Sequence, residues 1–153
     1  MRRVLLAIDI QAGLNSPSII VEKVNNLARK YPTIATTLTQ GDKEADNQAT
    51  VDWKAPKEDV TLVHTDYQYE RHSYQLPQLI LKTLEKNNVD EVLVTGAARE
   101  SFLLAAGFAL FDAGFNASMI APLCLTGQYH QHTVTMKIWE NSIGKVYEDI
   151  AEI

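Results

Sequence analysis

The clearest pattern of secondary structure in the chain lies in residues 92–103, VLVTGAARESFL. Its apolar start is typical of a short strand that is buried on both faces. Gly96 then predicts a tight turn, and the following residues predict a helix over 101–113 with Ser101 as its N-cap. That helix is apolar nearly all round, so we expect it to be buried, and Gly114 is expected to end it. Strand, turn and buried helix in succession are typical of an α/β protein.

The same alternation extends to both sides of this stretch. A helix is predicted to start with Ser16 as N-cap and Pro17 in its first turn, and to continue to about residue 30. In the later helix over 76–87, Leu79, Ile80, Thr83 and Leu84 are expected to face the core. The predicted strands cover residues 4–8, 33–38, 60–64, 91–95 and 117–120, a last helix covers 130–142, and an edge strand covers 144–147. We therefore predict one domain over residues 1–153, a three-layer, doubly wound, mostly parallel sheet of five or six strands.

Composition excludes several classes of function. The chain has 153 residues, a net charge of -5 and a pI of about 5.3, without a basic stripe, which argues against nucleic acid as a partner. No apolar run is long enough to span a bilayer, so no membrane partner is expected and a cytoplasmic location is the default. Cys124 is the only cysteine, which excludes an internal disulfide, and we expect it to be buried and structural.

Three residues at or just after predicted strand ends are expected to meet in one crevice. They are Asp9, His64 and Gly96, and in doubly wound sheets ligands bind at the carboxyl ends of the strands. A carboxylate such as Asp9, partly removed from water there, can act as a general acid or base. The simpler alternative for a lone aspartate is a helix cap or a loop carboxylate.

Residues 5–11, LLAIDIQ, together with residues 92–103 resemble the isochorismatase-like cysteine hydrolases. The resemblance extends over most of the chain, including the segment at Arg71 and the block 61–120. It implies a hydrolase in which Asp9 handles protons, and it aligns Arg71 with a catalytic lysine and Phe102 with the nucleophilic cysteine. It also implies substrate contacts from Gln11, Tyr74, Ala97 and Ala98, in which a cis peptide between the two alanines commonly exposes backbone N–H groups as an oxyanion hole.

Two of these aligned positions depart from the family. Phe102 has no atom that can attack a carbonyl, and Ser101 beside it lacks a partner base. Arg71 stays protonated, so it is expected to pair with Asp9 or hold an anionic substrate rather than exchange a proton. The simpler alternative for Arg71 is a surface arginine in a polar loop.

The remaining polar and aromatic residues bear on metal binding and on what covers the crevice. Residues 39–42, TQGD, lack the histidine of an Asp-x-His metal pattern, and His130 and His132 are too few for a site, so no metal or other cofactor is expected. Residues 39–57 are predicted to form a long surface loop. Its Trp53 could form an aromatic lid over the crevice or an oligomer interface together with three tyrosines, namely Tyr67, Tyr69 and Tyr74.

Two functional hypotheses follow. The first is a hydrolase of a small, anionic molecule that works without a cysteine, with Asp9 as general acid or base. The second is a catalytically inactive relative that binds a small molecule or another protein, because two of the three chemical roles have changed. A nucleotide or flavin binder ranks last because no glycine-rich phosphate loop follows any strand. A homo-oligomer is expected by analogy with the family.

Overall fold

The structure is a computed structural model, which describes residues 1–40, 55–97, 100–125 and 129–153. Within these residues six strands form one sheet in the order β3-β2-β1-β4-β5-β6, and every neighbouring pair is parallel. The strands are β1 (Arg3–Ile8), β2 (Thr33–Leu38), β3 (Tyr67–Arg71), β4 (Glu91–Ala97), β5 (Asn116–Leu125) and β6 (Val146–Tyr147). The predicted fold class is therefore confirmed. The strand order reverses between β1 and β4, which places the expected crevice at their carboxyl ends.

Helices cover both faces of this sheet. They are α1 (Ser18–Ala28), α2 (Gln78–Lys86), α3 (Glu100–Asp112) and α4 (Tyr129–Ser142), with short 3-10 turns at Ala12–Leu14 and Ile150–Glu152. Helices α2, α3 and α4 pack on one face, and α1 packs on the other. No helix in the described parts of the chain is long and apolar enough to cross a membrane.

Strand β1 shows why its sequence is apolar throughout. Val4, Leu6 and Ile8 join the core on the side of α2, α3 and α4, whereas Leu5 and Ala7 join the core on the side of α1. Successive side chains of a strand point to opposite faces, so a central strand that is covered on both sides needs apolar residues at every position.

The third strand was predicted in the wrong place. Residues 60–64 contribute only an isolated antiparallel bridge between Thr61 and Gln11, and the third strand is Tyr67–Arg71. This strand is polar because it lies at the edge of the sheet, where all its residues but Arg71 are exposed or half-buried. Edge strands commonly carry polar and charged side chains, so hydrophobicity alone misses them.

Both predicted helix N-caps were also wrong. Helix α1 begins at Ser18 after Pro17, and the Ser16 hydroxyl is buried without a hydrogen-bond partner in the described residues. Ser101 lies inside α3, which begins at Glu100. The predicted boundaries therefore missed by one or two residues, as is usual for helix ends.

The predicted burial of side chains on α2 and α3 is confirmed only in part. Leu79 is 59% exposed, and Phe108 and Phe111 on α3 are 40% and 51% exposed, so α3 is not buried all round. Gly114 does end α3: it has a φ of +85°, and the next N–H, of Phe115, donates to the Leu110 carbonyl over 3.0 Å. Glycine adopts this left-handed conformation without steric cost.

Candidate active site

Asp9 lies directly after β1, at the carboxyl end where the strand order reverses. Its side chain is fully buried and its φ is 55°, a left-handed conformation that aspartate tolerates better than most residues. The Asp9 N–H donates to the carbonyl and to the hydroxyl of Thr36 over 3.1 and 3.2 Å, and that hydroxyl donates to Asp9 Oδ1 over 2.8 Å. Strand β2 therefore holds both the backbone and the carboxylate of Asp9.

Arg71 ends β3 and forms a buried ion pair with Asp9. Its Nη2 binds Asp9 Oδ2, its Nε lies 3.4 Å from Asp9 Oδ1, and its Nη1 donates to the carbonyl of Ser73. The side chain is only 2% exposed, so Arg71 is not the surface arginine that the sequence left open as the simpler alternative. Of its two other expected roles, pairing with Asp9 is present in the structure.

Phe102 covers the other side of the guanidinium. It lies in the first turn of α3, is 3% exposed, and its ring centroid is 4.1 Å from Arg71 Cζ. This distance is typical of a cation–π contact. Tyr74 packs on Phe102 with 5.2 Å between the ring centroids, and Tyr74 is 38% exposed. Asp9, Arg71, Phe102 and Tyr74 thus form one continuous column from the sheet toward the surface.

Gly96 allows these elements to approach each other. It pairs with Ile8 across β1 and β4, and a Cβ at this position would lie 2.9 Å from Ile8 Cβ and from Leu103 Cδ2. No side chain fits there without displacing α3 from the end of β1.

Gln11 connects the neighbouring strand ends. Its Nε2 donates to the Leu38 carbonyl over 2.9 Å and to Asp59 Oδ2 over 2.7 Å, and its Oε1 accepts from the Leu38 N–H over 2.6 Å. The side-chain amide is buried and binds the protein itself, so the structure gives Gln11 a role in holding β1 to β2.

Asp59, which the sequence did not single out, and His72 also lie in this region. Asp59 Oδ2 also accepts from the Gly13 N–H over 2.8 Å, and a Cβ on Gly13 would lie 2.6 Å from that oxygen. His72 Nδ1 lies 3.0 Å from the carbonyl and 3.2 Å from the hydroxyl of Thr39. The signal that could have found Asp59 is Gly13, because a glycine just after a strand motif often marks a close approach.

The structure does not bring His64 into the site. His64 is exposed, and its N–H donates to the Asn25 side chain in α1 over 2.7 Å. Its expected place depended on a strand over 60–64 that does not exist. Ala97 does end β4, next to Leu125 of β5, whereas Ala98 and the peptide bond joining it to Ala97 lie outside the described residues.

Of the three tyrosines expected in an aromatic lid, only Tyr74 lies at the column. Tyr67 starts β3 at the opposite end of the sheet, and the Tyr69 hydroxyl lies 2.9 Å from that of Thr83 on α2. Trp53 falls outside the described residues, as does most of the loop predicted over 39–57.

In the described residues neither a thiol nor a metal cluster lies beside the column. Cys124 lies inside β5 rather than after it, is buried, and burial raises the pKa of its thiol to about 12. No group of three histidine, cysteine or acidic side chains in the described residues could hold a metal ion. His130 and His132 lie on α4, not on a strand.

Solved structures with the same fold are numerous and distant in sequence. An isochorismatase family protein from Burkholderia thailandensis has a TM-score of 0.76 at 18% identity, with 94% of this chain and 90% of that chain covered. An isochorismatase-like hydrolase from Alkaliphilus metalliredigens has a TM-score of 0.73 at 11% identity, with 95% and 94% covered. A nicotinamidase from Bacillus subtilis has a TM-score of 0.72 at 14% identity, with 97% and 100% covered.

Comparisons of sequence identify no relative of this chain. No protein-family model matches the chain, and a comparison with curated proteins finds no match. At these identities structural similarity establishes the fold and not the activity. The chain therefore has the fold of the isochorismatase-like hydrolases.

Proposed function

We propose that this protein is a binding module on the isochorismatase-like fold and does not hydrolyse a substrate. The observation that carries the proposal is the position of the Arg71 guanidinium, which lies between the Asp9 carboxylate and the Phe102 ring. These three side chains are at most 3% exposed, so they present almost no surface to a substrate.

The chemistry of the column supports this proposal. Phe102 offers no nucleophile at the position that the resemblance aligns with a cysteine, and Arg71 stays charged and cannot exchange a proton. Asp9 Oδ2 binds Arg71, and Oδ1 accepts from Thr36 and faces Arg71 Nε. A general acid or base must reach the proton that it transfers, and neither oxygen of Asp9 is exposed.

A hydrolase that works without a cysteine is the second candidate, and the backbone of Asp9 favours it. A non-glycine residue with a φ of 55° at the carboxyl end of a central strand is the kind of local strain that clusters at active sites. Nicotinamidases and an isochorismatase-like hydrolase share the fold. In this candidate Asp9 protonates a small anionic substrate, and Arg71 moves from Asp9 to the anion.

The deciding experiment is an assay of amides and vinyl ethers with the wild-type protein, Asp9→Asn and the control Asp112→Asn. Asp112 is exposed at the end of α3, so its variant tests charge loss alone. A nicotinamidase of the same fold serves as the positive control for the assay. All assays are run below the melting temperature of each variant.

We expect no turnover in any of the three proteins. Turnover in the wild type and Asp112→Asn that is lost in folded Asp9→Asn would overturn the proposal and establish the second candidate. Equal turnover in all three would also overturn the proposal, and it would remove Asp9 from the mechanism of hydrolysis.

A further inference from the structure

A cavity of about 250 Å³ lies at the amino ends of β1 and β2, at the opposite end of the sheet from Asp9. It is bounded by the sheet and by the carboxyl-terminal end of α2. Its floor is apolar and buried, formed by Val4, Ile34 and Leu84. Its rim is polar, with Arg2, Asp66 and Tyr67 around the opening. An apolar pocket with a few convergent polar groups is the usual form of a small-molecule site.

Arg2 is held in place by the turn between α2 and β4. Its backbone N–H donates to Asp90 Oδ2 over 2.5 Å, and its Nη1 donates to the Asn87 carbonyl over 2.5 Å. A cation at a helix carboxyl terminus is favoured by the helix dipole. The guanidinium has further N–H donors that bind nothing in the described residues, and these remain for a ligand.

Asp66 is held just as firmly on the other side of the opening. Its N–H donates to the Thr33 carbonyl over 2.9 Å, and its Oδ2 accepts from the Thr33 N–H over 2.8 Å. This reciprocal pair continues the β2–β3 ladder by one step and fixes the carboxylate at the rim. Asp66 Oδ1 has no partner in the described part of the chain.

The two charges line one cavity without pairing with each other. In the described residues the ion pairs within 4.0 Å are Arg3 with Glu91 and Arg71 with Asp9. The Arg2 guanidinium and the Asp66 carboxylate each bind a backbone group instead. Both charges are therefore available to oppositely charged groups of a ligand. Tyr67, which is 51% exposed, adds an aromatic surface to the rim.

We propose that this cavity binds a small zwitterion, a molecule with an apolar body and with a carboxylate and an ammonium group at one end. Arg2 would bind the carboxylate, Asp66 the ammonium group, and the buried floor the apolar body. The volume lies below the roughly 300–1,000 Å³ of sites for drug-sized ligands, which limits the body to a single ring or a branched alkyl group. This inference goes beyond the proposed function, because it holds whether or not Asp9 has a catalytic role.

The test uses three probes that share one phenyl ring and differ in charge: phenylalanine, phenethylamine and 3-phenylpropionate. Each is titrated into the full chain, and binding is followed by the backbone amide NMR shifts of residues around the cavity. We expect phenylalanine to bind at least about tenfold more tightly than either probe with a single charge, since each charged hydrogen bond is worth that much or more.

Two conservative variants separate the two charges. Arg2→Gln should reduce phenylalanine binding to the level of the amine, and Asp66→Asn should reduce it to the level of the acid. An asparagine at position 66 still offers an oxygen to the Thr33 N–H, so the strand ends remain joined. Lys23→Gln and Asp112→Asn, both at exposed sites on other helices, should leave binding unchanged.

Three results would overturn the proposal. They are equal affinity for all three probes, shifts that occur away from the cavity, and affinity that is unchanged in both Arg2→Gln and Asp66→Asn. Failure here does not bear on the hydrolysis assay, which depends on Asp9 at the other end of the sheet.

Discussion

At the scale of single residues, the candidate site is built around one buried ion pair. Asp9 and Arg71 are 62 positions apart and come from the ends of β1 and β3. The resemblance aligned both residues with the family's site, and their opposite charges suggested that they could pair. That the guanidinium also stacks on Phe102 depends on where α3 crosses the sheet, which no local pattern encodes.

Replacing Asp9 alone should destabilise the protein. Asp9→Asn leaves the Arg71 charge buried without its partner, which typically costs about 3–5 kcal/mol of unfolding free energy. Asparagine tolerates the left-handed backbone, so strain adds little. Urea unfolding of Asp9→Asn, Arg71→Met and the double variant measures the interaction free energy between the two side chains. If the losses of unfolding free energy in the two single variants add up to the loss in the double variant, the two side chains do not interact as described.

Removing the Phe102 ring should also be costly. Because the ring is 3% exposed and contacts both Arg71 and Tyr74, Phe102→Ala should lower the free energy of unfolding by about 3–5 kcal/mol. Chemical denaturation measures the loss, with Phe111→Ala at a 51% exposed site as the control. A negligible difference between the two variants would mean that the ring is available to a ligand instead of filling the site.

Cys124 should be inert in the folded protein. Burial raises the pKa of its thiol to about 12, so almost no thiolate exists at pH 8. We expect no reaction with a thiol reagent at that pH until the chain is denatured, when one equivalent reacts. Rapid labelling of the native protein would show that β5 opens.

The same pKa shift predicts how Cys124 affects stability at high pH. The unfolded chain loses this proton at lower pH than the folded one, so the contribution of the thiol is constant below about pH 8.5 and declines as pH rises toward 12. The difference in unfolding free energy between the wild type and Cys124→Ala should show this decline.

At the scale of elements, hydrophobicity predicted central strands well and the edge strand badly. Residues 33–38 were predicted as a strand and form β2 with the same bounds, because both faces of that strand are buried. Residues 60–64 are as apolar as a strand, yet they only bridge to Gln11, and the polar stretch Tyr67–Arg71 takes the edge. Position in the sheet, and not propensity, decided between these two segments.

Packing between α3 and α4 makes Gly107 sensitive to the smallest substitution. A Cβ at Gly107 would lie 2.7 Å from Trp139 Cζ3 and 2.8 Å from Ile143 Cδ1. Gly107→Ala gains about 1 kcal/mol of helix propensity but should lose about 1–3 kcal/mol to overpacking, so we expect a net loss. Thermal and urea unfolding measure the stability of Gly107→Ala, with Glu140→Ala at an exposed site as the control. A gain in stability would mean that Trp139 moves aside without cost.

At the scale of the whole molecule, the two ends of the sheet differ in chemistry. The carboxyl ends of β1 and β3 carry the buried ion pair of the column, whereas the amino ends of β1 and β2 hold a cavity with Arg2 and Asp66 at its rim. A single domain, a cytoplasmic location and a homo-oligomer stay predictions. Sedimentation of the purified chain would test the last of these.

The Glu91 carboxylate of β4 binds side chains from three other strands near the amino ends of the strands. Its Oε2 binds Arg3 Nε over 2.6 Å, and its Oε1 accepts from Ser118 over 2.6 Å and from Tyr147 over 3.2 Å. Glu91→Gln removes the charge from a network that joins β1, β4, β5 and β6, and should cost about 1–3 kcal/mol of stability. Denaturant unfolding checks this against exposed Glu148→Gln. A loss no larger than that of the control would show that the network contributes little.

The fold class could be predicted without the structure, because apolar runs that suit buried strands alternate with helical patterns along the chain. The resemblance also singled out Asp9, Arg71 and Phe102, whose side chains lie together in the structure. Tertiary structure alone decided that these three side chains stack into a closed column, that Gln11 binds neighbouring strands, and that a charged cavity opens at the other end. Those features join residues that are far apart in the chain, and only the order and register of the strands bring them together.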